Sequence, residues 1–353
     1  MKTLFLLPIV FFAGCAFADA PSVTWTKQAS GVAGRLRGVS AVDDNVAWAS
    51  GAGNAVLRTA DGGATWRSLT PPVDAQATPL DFRDIDAVDA HTAYLLSIGP
   101  SSASRIFKTT DAGVTWTQQY VNPDDKGFLD AMTFWDADNG LVIGDSIDGR
   151  FQILRTADGG ATWNKIPAAA LPPALPNEGS FSASGSNIAM VGRDHAWIAT
   201  GSRVLHTGDR GKTWSVVQAP LDSSASAGIF SITFRDALHG VIVGGDYKRE
   251  GAAVNNVAVT GDGGKSWSLV REKGLSGYRS AVKYVPGGGN GGENALVAVG
   301  PSGADVSRDD GKTWTPLVYP AAVAGFDAIS FAAGRKTAWA SGDKGALARV
   351  KFD

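Results

Sequence analysis

The sequence predicts an all-β fold, a seven-bladed β-propeller whose last blade is closed by the N-terminal strand. An eight-residue turn motif, Ser/Thr-x-Asp-x-Gly-x-Thr/Ser-Trp, recurs six times at nearly even spacing. Apolar second strands recur seven times around these motifs. Glycine is abundant, at 44 of 353 residues, and the 11 Trp are regularly placed. That composition suits short strands joined by tight turns.

The motif is an Asp box, first met from Thr59 through Asp61, Gly63 and Thr65 to Trp66. Its other copies centre on Asp111, Asp158, Asp209, Asp262 and Asp309. Successive motif Trp residues are 50, 47, 51, 53 and 47 positions apart, a period long enough for a four-stranded blade. Gly supplies the positive φ of a tight hairpin. The Asp carboxylate accepts from turn amides, and the flanking hydroxyls complete the network. The Trp opens the next strand and buries its ring between blades. All six copies keep the same residue types, so these aspartates read as folding devices rather than catalytic groups.

Between the boxes lies a pair of strands. First strands read as Gly38–Val42, Asp84–Val88, Asp130–Phe134, Phe230–Phe234, Ser280–Tyr284 and Asp327–Phe331. The fourth blade is less distinct, with its first strand expected near Ile188–Val191. Second strands centre on Trp48, Tyr94, Val142, Trp197, Val241, Val297 and Trp339. Seven pairs against six boxes leave one blade short. Gly345–Lys351 supplies its third strand, and Val23–Lys27, which carries Trp25, supplies the fourth. A ring closed by both termini hides its sheet edges. One body over residues 19–353 is therefore expected, as a monomer.

The N-terminus reads as an export signal over residues 1–18. Lys2 precedes an apolar run from Leu4 to Phe12, too short to span a bilayer. Two processing routes stay open. Ala16-Phe17-Ala18 is a small-x-small cleavage site, and Phe12-Ala13-Gly14-Cys15 is a lipoprotein-like box that would anchor the chain through Cys15. Either route delivers the protein to the periplasm or beyond, with no membrane span. Cys15 is the only cysteine, which excludes an internal disulfide or a thiolate metal site. The four His show no metal-ligand spacing, and the Gly287–Gly292 run lacks the strand-then-helix setting of a phosphate loop. No cofactor is expected. The net charge of −2 offers no broad attraction to nucleic acid or anionic lipid.

The box Thr59-Ala60-Asp61-Gly62-Gly63-Ala64-Thr65-Trp66 resembles bacterial neuraminidase-type (BNR) repeats. The phrase Val46-Ala47-Trp48-Ala49-Ser50-Gly51 followed by Val56-Leu57-Arg58-Thr59 resembles the photosystem II stability/assembly factor family. That resemblance spans the mature chain. It implies an exported, non-catalytic propeller, photosynthesis-related by family, that binds a protein partner in the cell envelope during complex assembly.

In a propeller the boxes lie on one face, so functional groups are sought on the other. Arg37, Arg83 and Arg279 each precede a channel strand, which predicts three arginines at one end of the channel. Asp145, Asp246 and Asp343 follow the Gly that ends a second strand. Long loops there include Ser97–Ser104, Pro167–Ser180 with Glu178 beyond its prolines, and Gly244–Asn256 with Tyr247. Arg37, Arg83, Arg279, Asp145, Asp246, Tyr247 and Glu178 are the partner-binding candidates. The alternative is a sialidase-like glycoside hydrolase, with three arginines clamping a carboxylate and Tyr247, Tyr278 and Glu178 as catalytic candidates. Against it stand the expected blade count and the lack of Pro after Leu36-Arg37-Gly38 and Phe82-Arg83-Asp84-Ile85.

Overall fold

The computed structural model describes residues 23–71, 73, 78–287, 294–319 and 325–352. The export segment, Cys15 and residues 288–292 of the glycine run lie outside them. The first strand, β1 (Val23–Gln28), belongs to the last blade. Blade 1 is β2 (Leu36–Ala41), β3 (Ala47–Gly51), β4 (Ala55–Thr59) and β5 (Arg67–Ser68). Blade 2 is β6 (Asp81–Ala87), β7 (Ala93–Ile98), β8 (Arg105–Thr109) and β9 (Thr117–Val121). Blade 3 is β10 (Leu129–Phe134), β11 (Gly140–Ile147), β12 (Arg150–Thr156) and β13 (Asn164–Lys165). Blade 4 is β14 (Ile188–Val191), β15 (His195–Ala199), β16 (Arg203–Thr207) and β17 (Ser215–Gln218). Blade 5 is β18 (Ala227–Phe234), β19 (Gly240–Asp246), β20 (Val257–Thr260) and β21 (Ser268–Leu269). Blade 6 is β22 (Ala281–Tyr284), β23 (Leu296–Gly300), β24 (Gly303–Ser307) and β25 (Thr315–Leu317). Blade 7 is β26 (Phe326–Phe331), β27 (Thr337–Gly342) and β28 (Leu347–Phe352), with β1 as its outer strand. β1 and β28 pair antiparallel from Val23↔Phe352 to Gln28↔Leu347. The seven-bladed ring with terminal closure is thus observed.

Each Asp box is one repeated network. Thr59 Oγ1 donates to Asp61 Oδ1 at 2.8 Å and accepts from the Gly63 amide at 2.9 Å. Thr65 donates to Asp61 through both its amide, at 2.9 Å, and its hydroxyl, at 2.6 Å. The box glycine adopts φ near +80° in every copy, +85° at Gly63 and +80° at Gly311. The residue before it is also left-handed, even where it is Ala112, Arg210 or Asp310. Two successive positive φ values are what a type I′ turn requires.

The core lies between blades. Trp48, Phe82, Leu95, Phe107 and Trp116 pack the first such layer, and Trp25, Phe326, Val350 and Phe352 pack the last. Trp48, Tyr94 and Trp339 are fully buried, each with a cation over its ring: Arg58, Lys108 and Arg349 at 5.2, 5.1 and 5.5 Å. In blade 4 that place is taken by His206, stacked on Trp197 with centroids 4.9 Å apart. Burial first, and neighbouring His195 second, lower His206 to about 4, so the ring stays neutral at pH 7. His195 and His206 are therefore packing groups, joined by a 3.1 Å Nδ1–Nε2 contact.

Gly113→Ala places a Cβ 2.4 Å from Leu69 Cδ1 at φ +82°. It should cost at least ~2 kcal/mol in urea melts. Ala112→Gly relieves a left-handed alanine at φ +61° and should stabilise by up to about 1 kcal/mol. Hydroxyl donors Thr65, Thr115 and Ser266 hold Asp61, Asp111 and Asp262 down at about 2. Their folded pKa lies below the unfolded one, so their stabilisation is present above the unfolded value and lost as pH falls through the folded value. Tm should drop between about pH 4 and 2, less steeply when the three aspartates are Asn.

Candidate functional site

The channel end away from the boxes is shaped by β-bulges. The innermost strand shifts register after Leu36, Phe82, Leu129, Ile229 and Phe326. The extra residues are Arg37, Arg83, Asp130, Phe230 and Asp327. A bulge leaves one residue unpaired and re-aims its side chain. Arg37, Arg83, Asp130 and Phe230 all line one cavity of about 470 Å³. Arg35, Phe128 and Tyr278, flanking the inner strands, line it too, as do Tyr247, Glu250 and Asp145.

A strap over residues 180–187, between β13 and β14, forms the cavity floor. The Arg37 and Arg83 guanidinium groups donate to its Ala183 and Ser182 carbonyls at 3.3 and 3.2 Å. Ser184 Oγ donates to Ser280 O of blade 6 at 2.8 Å, and Ser186 Oγ to Ser231 Oγ of blade 5 at 2.7 Å. Gly185 sits at φ +68°, and a Cβ there would meet the Asp84 carboxylate at 2.2 Å. The strap therefore crosses the channel and touches four blades.

The candidates fall into two groups. Arg37, Arg83, Asp145 and Tyr247 meet at the cavity. Arg83 is also held by Asp81 at 2.8 Å. Arg37 lies 4.0 Å from Asp327, whose carboxylate takes a bidentate pair from Arg35 at 2.7 Å each. Desolvation lowers the Arg37 pKa, opposed by Asp327. Asp145, inside β11 rather than after it, is raised by burial. Tyr247 is 43% exposed, edge-on to Phe181 and Phe230.

Arg279, Asp246 and Glu178 stand apart. Arg279 is 2% exposed and bonded to Asp305 at 2.7 Å. The physical reason is register. Ala281 pairs with Val299 as Gly38 pairs with Ser50, so Ser280 holds the place of Arg37 and Arg279 that of Leu36. A one-residue slip turns a side chain to the opposite side. Arg279 thus occupies a buried inter-blade position and needs a buried partner. Glu178 is 7% exposed and takes up Arg203 and Thr200, so it anchors the approach to the strap. It forms no pair with Tyr247 or Tyr278, the pairing that the sialidase alternative requires. Asp246, the last residue of β19, holds Arg249 at 2.8 Å. Asp343 opens a short 3₁₀ turn.

Asp130 was readable only as the start of a strand, yet it sits at the cavity with 1% exposure. Its Oδ2 has no hydrogen-bond partner. Burial, then the Asp145 charge, push its pKa well up, against the Ser180 amide and Arg83. Aligning the repeats at the bulge residue would have grouped Asp130, Phe230 and Asp327 with Arg37 and Arg83. Among the described residues no cluster of three or more His, Cys, Asp or Glu is placed to hold a metal.

Fold and cavity define a seven-bladed Asp-box propeller with a charged socket at one end of its channel. The chain resembles the photosystem II stability/assembly factor family: the profile described as "Photosynthesis system II assembly factor YCF48" matches residues 115–225. The solved structure of YCF48 bound to D1 peptide is 18% identical, with TM-score 0.65 over 95% of this chain and 99% of that one. YCF48 from Cyanidioschyzon merolae is 17% identical, with TM-score 0.66 over 92% and 98%. The GH74 xyloglucanase from Xanthomonas campestris is 18% identical, with TM-score 0.62 over 93% of this chain and 53% of that one. At these identities the likeness shows the fold. A curated xyloglucanase from a Paenibacillus species is 26% identical over 155 residues, 37% of this chain, and the match spans 15% of that enzyme.

Arg279→Ala leaves Asp305 buried and unpaired, and should cost about 3–5 kcal/mol. Arg37→Gln, at the cavity, should cost less than about 1 kcal/mol. Paired denaturant melts check both.

Proposed function

We propose that this chain is an exported, non-catalytic binding protein that docks an acidic segment of a cell-envelope protein at the channel end and assists assembly of that partner's complex. The observation behind the reading is the convergence of bulge-displaced Arg37 and Arg83 on one cavity beside Arg35. Their guanidinium groups offer planar, bidentate recognition of a carboxylate. Phe181, Phe230 and Tyr247 supply an apolar wall for neighbouring side chains. The family profile and the likeness to a propeller bound to a peptide support a protein partner over a small molecule.

A second reading is glycoside hydrolysis in the same cavity. It is favoured by the xyloglucanase similarities and by Asp130, a buried acid whose raised pKa suits a proton donor beside Asp145. Turnover of xyloglucan or sialyllactose, lost in Asp130→Asn, would establish it.

The first reading is tested by capture from solubilised host envelope with wild type and an Arg37→Gln/Arg83→Gln variant of matched Tm. A defined envelope protein retained by wild type, and at least tenfold depleted with the variant, is expected. Equal retention by both overturns the role of these arginines.

A further inference from the structure

The cavity carries a second recognition element that the arginines leave unused. Asp130 and Asp145 line the same cavity from adjoining strands, where Leu129 pairs with Gly144 and the Asp145 amide donates to Phe128 O at 2.9 Å, and the Asp145 charge bears on Asp130. Neither forms an ion pair within 4.0 Å among the described residues, whereas Asp81 and Asp327 both do. Asp130 is 1% exposed and lines the cavity, and its Oδ2 has no hydrogen-bond partner. An unpaired buried carboxyl is costly, and two adjacent ones cannot both ionise without a counter-charge.

We propose that the Asp130–Asp145 pair is a subsite for a primary ammonium group, carried by a lysine side chain or a peptide amino terminus. The chemistry selects that class. A compact ammonium has three donors and can bridge two neighbouring carboxyls. Among the described residues no third His, Cys, Asp or Glu joins the pair to complete a metal site. The cavity's aromatic side adds a favourable surface for a cation, because Phe181 and Tyr247 line the same space. The adjacent cations are partly offset: Arg83 by Asp81, and Arg35 and Arg37 by Asp327. The socket is thus bipolar, with an anion end at Arg37 and Arg83 and a cation end at Asp130 and Asp145. This subsite does not depend on the acidic-segment reading, since it takes a ligand with no acid.

The test is an NMR titration of the full chain, reading the Ser180 amide. The probes are Nα-acetyl-lysine amide, its Nε-acetylated form, and alanine amide, which carries only a free amino terminus. The expected result is a saturable Ser180 shift with Nα-acetyl-lysine amide or alanine amide, whichever source fits, and none with the doubly acetylated probe. Asp130→Asn and Asp145→Asn, matched to wild type in Tm, should each weaken binding at least tenfold. The Arg37→Gln/Arg83→Gln variant, at least tenfold depleted in capture of an acidic partner, should bind the amine equally or more tightly, because like charges are removed. That opposite response separates failure of this proposal from failure of the previous one. Absence of a saturable shift, equal binding of the acetylated probe, or indifference to Asp130→Asn overturns the ammonium subsite.

Discussion

The innermost strand of each blade has no strand beside it on the channel side, so its free amides need another partner. The neighbouring blade provides one. Ser330 Oγ of blade 7 accepts the Ala41 amide of blade 1 at 3.1 Å, and Ser40 Oγ of blade 1 accepts the Ala87 amide of blade 2 at 3.0 Å. Asp86 of blade 2 accepts the Phe134 amide of blade 3 at 2.9 Å, and Asp84 accepts Met132 at 2.7 Å. Ser231 of blade 5 accepts the Val282 amide of blade 6 at 3.0 Å. Leaving any such amide unpaired would cost about 1–3 kcal/mol. These side-chain bonds fix the angle at which blades meet, and the apolar layers and the end cavity inherit that angle. They also place acids inside the channel, where burial raises Asp84 and Asp86 and lowers the facing Lys283.

Much of the fold was legible because its determinants are local. The Asp box encodes its turn within eight residues, and a buried second-strand Trp, Tyr or Val marks each blade ahead of it. The exchange of strands between termini followed from counting. The fourth blade was harder to read. Its inner strand follows a strap whose Ser-rich sequence serves contacts with four other blades, and such contacts leave no periodic trace. The Glu178 anchor was invisible for a similar reason, since its partner Arg203 lies 25 positions away, at the start of β16.

The cavity was half legible. Arg37 and Arg83 stood out because their positions repeat. Arg279-Ser280 looks like Arg37-Gly38 in sequence, but a bulge adds a residue that alternation cannot reveal. One position of slip sends that arginine between blades to Asp305. Asp130 went unnoticed for the converse reason: an acid at a strand start looks solvated until the bulge turns it inward. Pairwise register, not residue type, decided which charged groups face the cavity.

The strap has a topological consequence. A propeller channel open at both ends would let an extended chain pass through it, entering one face and leaving by the other. Ser184 and Ser186 tie the strap to blades 6 and 5, while Gly185 packs on Asp84 of blade 2. The arginine end is therefore a blind socket. Only a chain end, or a turn tight enough to enter and exit by one opening, can reach its floor. A partner docked there as proposed would be held by its tip rather than threaded.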